Sequence, residues 1–311
     1  MPTTTLPRII LDCDPGHDDA IAMILAAKHS ELLGITTVSG NVGLKLTTHN
    51  ALAVAQILNL DVPVYAGADR PLVTSPIHAE FIHGETGLGG PVLPELTRDV
   101  NPQHAVDFII DTVRTTEDVW LVPTGPLTNI ALALRQAPDI ASRLAGIAIM
   151  GGGRSYGNVK IMAEFNIFHD PEAADIVFRS SVPIIMCGLD LTHQFMLHKD
   201  DIDTLHGIDN GVAGFTVELL EFFSQEYARA FFGDARAPLH DPCAVMTVTH
   251  PELFEFEDLY VVIELRGEHT RGMTVVDQRG VHSGPPPNVK VATTINRTGA
   301  LALLRKTLEA Y

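Results

Sequence analysis

Four aspartates, Asp12, Asp14, Asp18 and Asp19, fall within eight positions of the stretch LDCDPGHDDAIAMI at 11–24. Carboxylates resist burial unless they are paired or hold a metal. A helix N-terminus accommodates one or two, as caps and through the dipole. Four in one turn raise one another's pKa unless a cation lies among them. A hard cation such as Ca2+, which takes six to eight oxygens, accounts for the crowding. The stretch is not an EF-hand, because its glycine is misplaced and Met23 stands where a bidentate Glu is needed. The remaining ligands must come from elsewhere in the chain.

Residues with related chemistry recur downstream. His240 and Asp241 stand in PLHDP at 238–242, a pattern that also suits an N-cap followed by Pro. Asp170, in HDP at 169–171, is taken as such a cap alone. Asp12 points the other way along its run and supports the ligands from behind, and Asp190 is structural. Glu164 and Asn166, two apart in AEFN, share one face if the backbone there is extended. Asn158 follows Gly157 and suits a turn as well as a binding role. Tyr227, Phe231 and Phe232 have spacing that fits either a stacking platform or plain core.

Other chemistries fail on spacing. GRSYG at 153–157 matches the G-x-S-x-G nucleophile elbow, yet Ser155 stands five residues past the nearest apolar run, behind three glycines. MGGG at 150–153 does not continue as a dinucleotide fingerprint, since Tyr156 takes the last glycine's place. His83-Gly84-Glu85 is not H-E-x-x-H. Asp12-Cys13-Asp14 has a phosphatase-like D-x-D, but Pro15 and the Asp18-Asp19 pair break that pattern.

The elements that must position these groups alternate. Apolar runs at 8–12, 34–39, 62–66, 119–123, 146–150 and 182–188 are separated by helix-like stretches at 17–29, 44–59, 103–115, 126–137 and 171–180. The alternation predicts βαβ units in an open, mostly parallel, Rossmann-like α/β sheet with flanking helices. The runs are apolar throughout, as strands covered on both faces are. After 195 come a long helix over 211–232, strands at 259–265, 273–277 and 289–295, and a closing helix at 297–309. Residues 1–311 thus read as one domain with a strand-bearing C-terminal extension. Each early run ends in a polar or glycine cluster, and ligands bind beyond the carboxyl ends of such strands. The clusters at 12–19, 39–41, 123–129, 150–153 and 188–193 are therefore expected at one edge.

Composition narrows the partners. Lys and Arg number 21 against 38 Asp and Glu, a net charge of −17. That field repels polyanions and argues against nucleic acid. An odd count of three cysteines without C-x-x-C supports neither a disulfide framework nor a zinc site. MPTTTLPR lacks an apolar signal core, and runs such as IAMILAA are too short to span a bilayer. A cytoplasmic protein without a membrane partner is expected.

The stretch at 12–19 resembles the D-x-D-P-G-x-D-D signature of the inosine–uridine-preferring nucleoside hydrolases. The likeness continues through SGN (39–41), VYAG (64–67), HGETGLGG (83–90), PTGPLTNIA (123–131), MGGG (150–153), GN (157–158), AEFNIFHDPEAA (163–174), GLDLTH (188–193), PLHDP (238–242) and GMTVVD (272–277), in family order. It implies Ca2+-dependent hydrolysis of a ribonucleoside to ribose and free base, by a homo-oligomer, tetramer or dimer. It implies Ca2+ held by Asp14, Asp19, the Thr124 carbonyl and Asp241. Ribose contacts are implied from Asp18, Asn41, Asn158, Glu164 and Asn166, with Met150 and Phe165 beside the substrate. A mobile loop around His83 and a helix around Tyr227 are implied to close over the base. Asp14 is then the general base and His240 the candidate acid, its ordinary pKa of about 6.5 suiting proton donation near neutrality. A non-catalytic nucleoside-binding module is the alternative, which turnover would exclude.

Overall fold

The computed structural model describes residues 6–231, 233, 235–280 and 284–311. Phe232, named above as a stacking candidate, lies outside the described residues. The strands are β1 (Arg8–Cys13), β2 (Glu31–Thr37), β3 (Val64–Ala66), β4 (Val119–Pro123), β5 (Leu144–Met150), β6 (Ile184–Cys187), β7 (Met196–His198), β8 (Arg236–Pro238), β9 (Phe254–Ile263), β10 (Thr274–Asp277) and β11 (Val289–Ile295). A nine-stranded sheet runs in the order β10-β9-β11-β6-β5-β4-β1-β2-β3. From β3 to β11 neighbouring strands are parallel. β9 is antiparallel to β11, and β10 to β9.

The expected α/β architecture with a C-terminal strand extension is therefore present. Strand β11 joins β6 in parallel and so enlarges the main sheet. The antiparallel pair β7–β8 was not foreseen. Its strands have three residues each, too few for periodicity to register.

The central strands are apolar because both faces are covered. Ile9, Ile10 and Leu11 of β1 are all fully buried, Ile10 in one core and Ile9 and Leu11 in the other. Burying each such side chain contributes roughly 1.5–3 kcal/mol. One core takes in helices His17–His29, Gly211–Phe231, His240–Thr249 and Arg297–Glu309. The other takes in Ala105–Thr115, Thr128–Gln136 and Pro171–Phe178. Among the described residues no helix is long and apolar enough to cross a membrane. Cys13, Cys187 and Cys243 are free and buried.

Candidate active site

The strand order reverses between β1 and β4, and loops that diverge at such a point leave a crevice at the carboxyl ends. A cleft of about 660 Å3, open to solvent, lies there. Asp18, Asn41, His83, Thr124, Met150, Asn158, Glu164, Phe165, Asn166, Tyr227, His240 and Asp241, all singled out above, line it. Ala79, Phe81, Ile82, Val159, Phe223 and Phe231 also line it. Asp14 and Asp19 are buried immediately behind it, each hydrogen-bonded to a lining residue, Asp14 to Asn41 and Asp19 to Thr124.

Asp18, Asp19 and Asp241 bring carboxylate oxygens within 4.8 Å of one another. Asp19 also serves the helix His17–His29, since one oxygen accepts the Gly16 N–H at 2.9 Å. Its other oxygen accepts the Thr124 hydroxyl at 2.7 Å. Capping and clustering, posed as rival explanations of these aspartates, are thus combined in one side chain. Asp241 lies inside the first turn of helix His240–Thr249, and Leu239 holds the N-cap position, so the capping role considered for Asp241 is not taken. Asp170 does cap, accepting the Ala173 N–H at 3.1 Å.

The compact carboxylate group contains Asp18 where the sequence reading has Asp14. The Asp14 Oδ2 accepts the Asn41 N–H at 2.6 Å. Its carboxylate is wedged between Gly40 and Gly125, where a Cβ at either position would overlap it. The glycines of SGN and PTGP therefore have a steric reason: only a bare backbone approaches Asp14 so closely. The Thr124 carbonyl accepts the Asn166 side-chain amide at 2.7 Å.

Burial is the largest influence on all four carboxyls. It pushes Asp18 up to about 7, with Asp19 adding. Asp14 and Asp241 stand well above the ordinary range, raised by burial and then by their acidic neighbours, and Asp19 is raised by burial. Neither Lys nor Arg lines the cleft among the described residues. Buried, convergent oxygen donors without a protein cation fit a hard divalent ion. Asp12 is not part of the group and accepts instead from the Thr36 hydroxyl at 2.6 Å and the Asn129 amide at 2.7 Å.

AEFN departs from the extended backbone expected of it. Glu164 caps helix Phe165–His169, accepting N–H groups from Asn166 and Ile167, and a further one from Gly152 at 2.9 Å. A helix therefore starts at once, and Asn166 lies within it. Burial nonetheless lifts Glu164 to about 7 against these hydrogen bonds. The Asn158 side-chain oxygen accepts the Phe165 N–H at 2.9 Å across the loop, and Asn158 also lines the cleft. The elbow reading of Ser155 fails, since the next helix begins only at Phe165.

His83 is not on an open loop. It ends the short helix Glu80–His83, is buried, and stacks on His17 and Phe223 at ring separations of 5.3 and 5.5 Å. The His240 Nδ1 lies 2.7 Å from the Thr192 hydroxyl. Burial holds His240 well below its ordinary pKa, with His193 adding. That direction favours the neutral imidazole, which still carries one N–H to donate.

Phe223 was missed, although Phe223, Tyr227 and Phe231 stand at i, i+4 and i+8 and share one helix face. His17, stacked on Phe222 and Phe223 at 5.3 and 5.2 Å, occupies the variable place of its motif and gave no signal.

The chain matches the family model "Inosine-uridine preferring nucleoside hydrolase" over residues 9–302. It is 47% identical over 307 residues to the pyrimidine-specific ribonucleoside hydrolase RihA of Shewanella oneidensis, covering 97% of this chain and 96% of that one. The namesake protein of Photobacterium profundum is also 47% identical, with 97% and 99% covered. A purine-preferring ribonucleoside hydrolase from Gardnerella vaginalis superposes with a TM-score of 0.91 at 33% identity, covering 97% and 98% of the two chains. The chain thus belongs to the inosine-uridine preferring nucleoside hydrolase family and is a ribonucleoside hydrolase.

His169, behind the cleft and packed on Phe165, supplies a pH prediction. Burial pushes its pKa down to about 4, and His78 adds. Between that value and the unfolded pKa of about 6.5 the unfolded chain binds more protons, so stability is lost as pH falls. The stability of wild type relative to His169→Gln should drop by about 2 kcal/mol between pH 7 and pH 5. Paired denaturant titrations measure it; a pH-independent difference would show that His169 keeps its ordinary pKa.

Proposed function

We propose that this chain cleaves the N-glycosidic bond of pyrimidine ribonucleosides, giving ribose and free base, with one Ca2+ per chain. The observation that carries the reading is the cleft wall, which combines Asn41, Asn158, Glu164 and Asn166, suited to ribose hydroxyls, with Phe223 and Tyr227, suited to a base. The pyrimidine preference follows the relatives named pyrimidine-specific, at 47% identity against 33% for the purine-preferring structure. A panel of uridine, cytidine, inosine and adenosine tests it. The pyrimidine nucleosides should lead in kcat/KM by about 10-fold or more; equal or inverted values would refute the preference. Binding without turnover would restore the non-catalytic module.

Asp14, Asp18, Asp19, Asp241 and the Thr124 carbonyl are the groups that would hold the ion. When bound there, Ca2+ would supply Lewis-acid assistance, lowering the pKa of a water. Asp14 accepts the proton of the attacking water. The surrounding carboxylates stabilise the positive charge that builds on the ribose as the base departs. His240 and Tyr227 meet the base, and polar contacts to both ribose hydroxyls disfavour deoxy analogues. Elemental analysis should find calcium near one equivalent and little zinc. Chelation should abolish turnover and added calcium restore it; stoichiometric zinc would overturn the assignment.

The same reading makes 1–311 one domain of a cytoplasmic homo-oligomer, tetramer or dimer, that serves nucleoside salvage or catabolism.

A further inference from the structure

GLDLTH at 188–193 contributes no side chain to the cleft wall, yet it touches two residues that do. The segment follows β6 as the short helix Leu189–Thr192, with His193 as its C-cap. Thr192 meets His240, as described. The His193 ring lies between two phenols. Its Nδ1 is 2.8 Å from the Tyr156 hydroxyl and its Nε2 is 3.3 Å from the Tyr227 hydroxyl. It also stacks on Tyr156 with ring centres 5.5 Å apart and packs against His240 at 5.3 Å. Burial lowers the His193 pKa, against the pull of Asp190, so the ring is neutral near pH 7.

A neutral imidazole carries one donor and one acceptor. The two tyrosines are therefore held in opposite senses, one hydroxyl donating a hydrogen bond to the ring and the other accepting one from it. Tyr227 sits on helix Gly211–Phe231. Tyr156 sits on the segment between β5 and helix Phe165–His169, which also carries Asn158. Asp190 fixes the start of that segment by accepting the Arg154 N–H at 2.5 Å.

We propose that His193 is a positioning residue for the departing base: by bridging Tyr156 and Tyr227 it fixes the Tyr227 hydroxyl in the cleft and ties two of its walls together. The proposal rests on the reading of Tyr227 as a base contact. A hydroxyl held on one side by a buried ring nitrogen has a set direction, whereas a free one rotates and is ordered only at an entropic cost when substrate binds.

The test uses His193→Phe, His193→Gln, Tyr227→Phe and the Tyr227→Phe/His193→Phe double variant. Each is assayed on uridine and on p-nitrophenyl riboside, whose leaving group needs no base contact. Losing one net hydrogen bond should lower kcat/KM for uridine roughly 10-fold in His193→Phe. The p-nitrophenyl riboside rate should stay within about twofold, and the second substitution should add nothing to Tyr227→Phe. His193→Gln, which keeps a donor and an acceptor, should recover most of the loss. Equal losses on both substrates, or additive effects with Tyr227→Phe, would overturn the link and leave His193 as packing. An unchanged uridine rate in Tyr227→Phe would instead refute Tyr227 as a base contact and the proposal with it.

Discussion

Asp14→Asn should lower kcat on uridine by at least about 10²-fold, and toward 10⁴-fold if the site's ion is also disturbed. Asparagine keeps the shape of the side chain, so the wedge between Gly40 and Gly125 still accepts it. It also keeps an oxygen for the Asn41 N–H. What it loses is the basic oxygen that takes a proton from water. Single-turnover rates with calcium content measured in parallel separate the two contributions. A variant that holds calcium and keeps more than about a tenth of wild-type kcat would show that the base lies elsewhere.

The second large effect concerns His240. With its Nδ1 beside the Thr192 hydroxyl, the Nε2 is the nitrogen available to substrate. In the proposed mechanism a neutral His240, favoured by its burial, would meet the base as an N–H donor. Removing it should cost natural nucleosides roughly 10²-fold in kcat, because pyrimidine anions are poor leaving groups without a donor. His240→Ala should barely slow p-nitrophenyl riboside, whose anion departs unaided. Equal slowing of both would mean that His240 shapes the neighbouring Asp241 instead. No slowing of either would shift the role to another wall residue, His83 being the nearest in chemistry.

Much of this site was legible because its chemistry comes from short motifs at the ends of apolar runs. Periodicity located β1, β4 and β5, and the sheet rule then gathered Asp18, Asn41, Thr124 and Met150 at one edge. Glu164 and Asn166 were identified while their local backbone was misread. A two-residue spacing does not distinguish a strand from a capped helical turn, and only the N–H groups folding back onto Glu164 do so. The depth of His83 and the depressed pKa of His240 were not legible either. Both depend on aromatic and aliphatic neighbours supplied by distant segments. The aromatic helix face was half legible: its spacing was visible, but which side chains meet the cleft depends on how helix Gly211–Phe231 is rotated.

The acidic motif belongs to the first strand of the sheet, and that strand pairs with one more than a hundred residues later, Arg8 lying opposite Val119. Asp241 arrives later still, more than two hundred residues after Asp19. During synthesis the first carboxylates therefore wait for more than two hundred residues before Asp241 is made. Until helix His240–Thr249 docks, those aspartates remain hydrated and ordinarily acidic, and repulsion among them is screened by water and salt. Closing a sheet with pairings so distant in sequence is slow compared with forming local helices. Catalytic competence should accordingly be the last property regained on refolding, after helical content has returned.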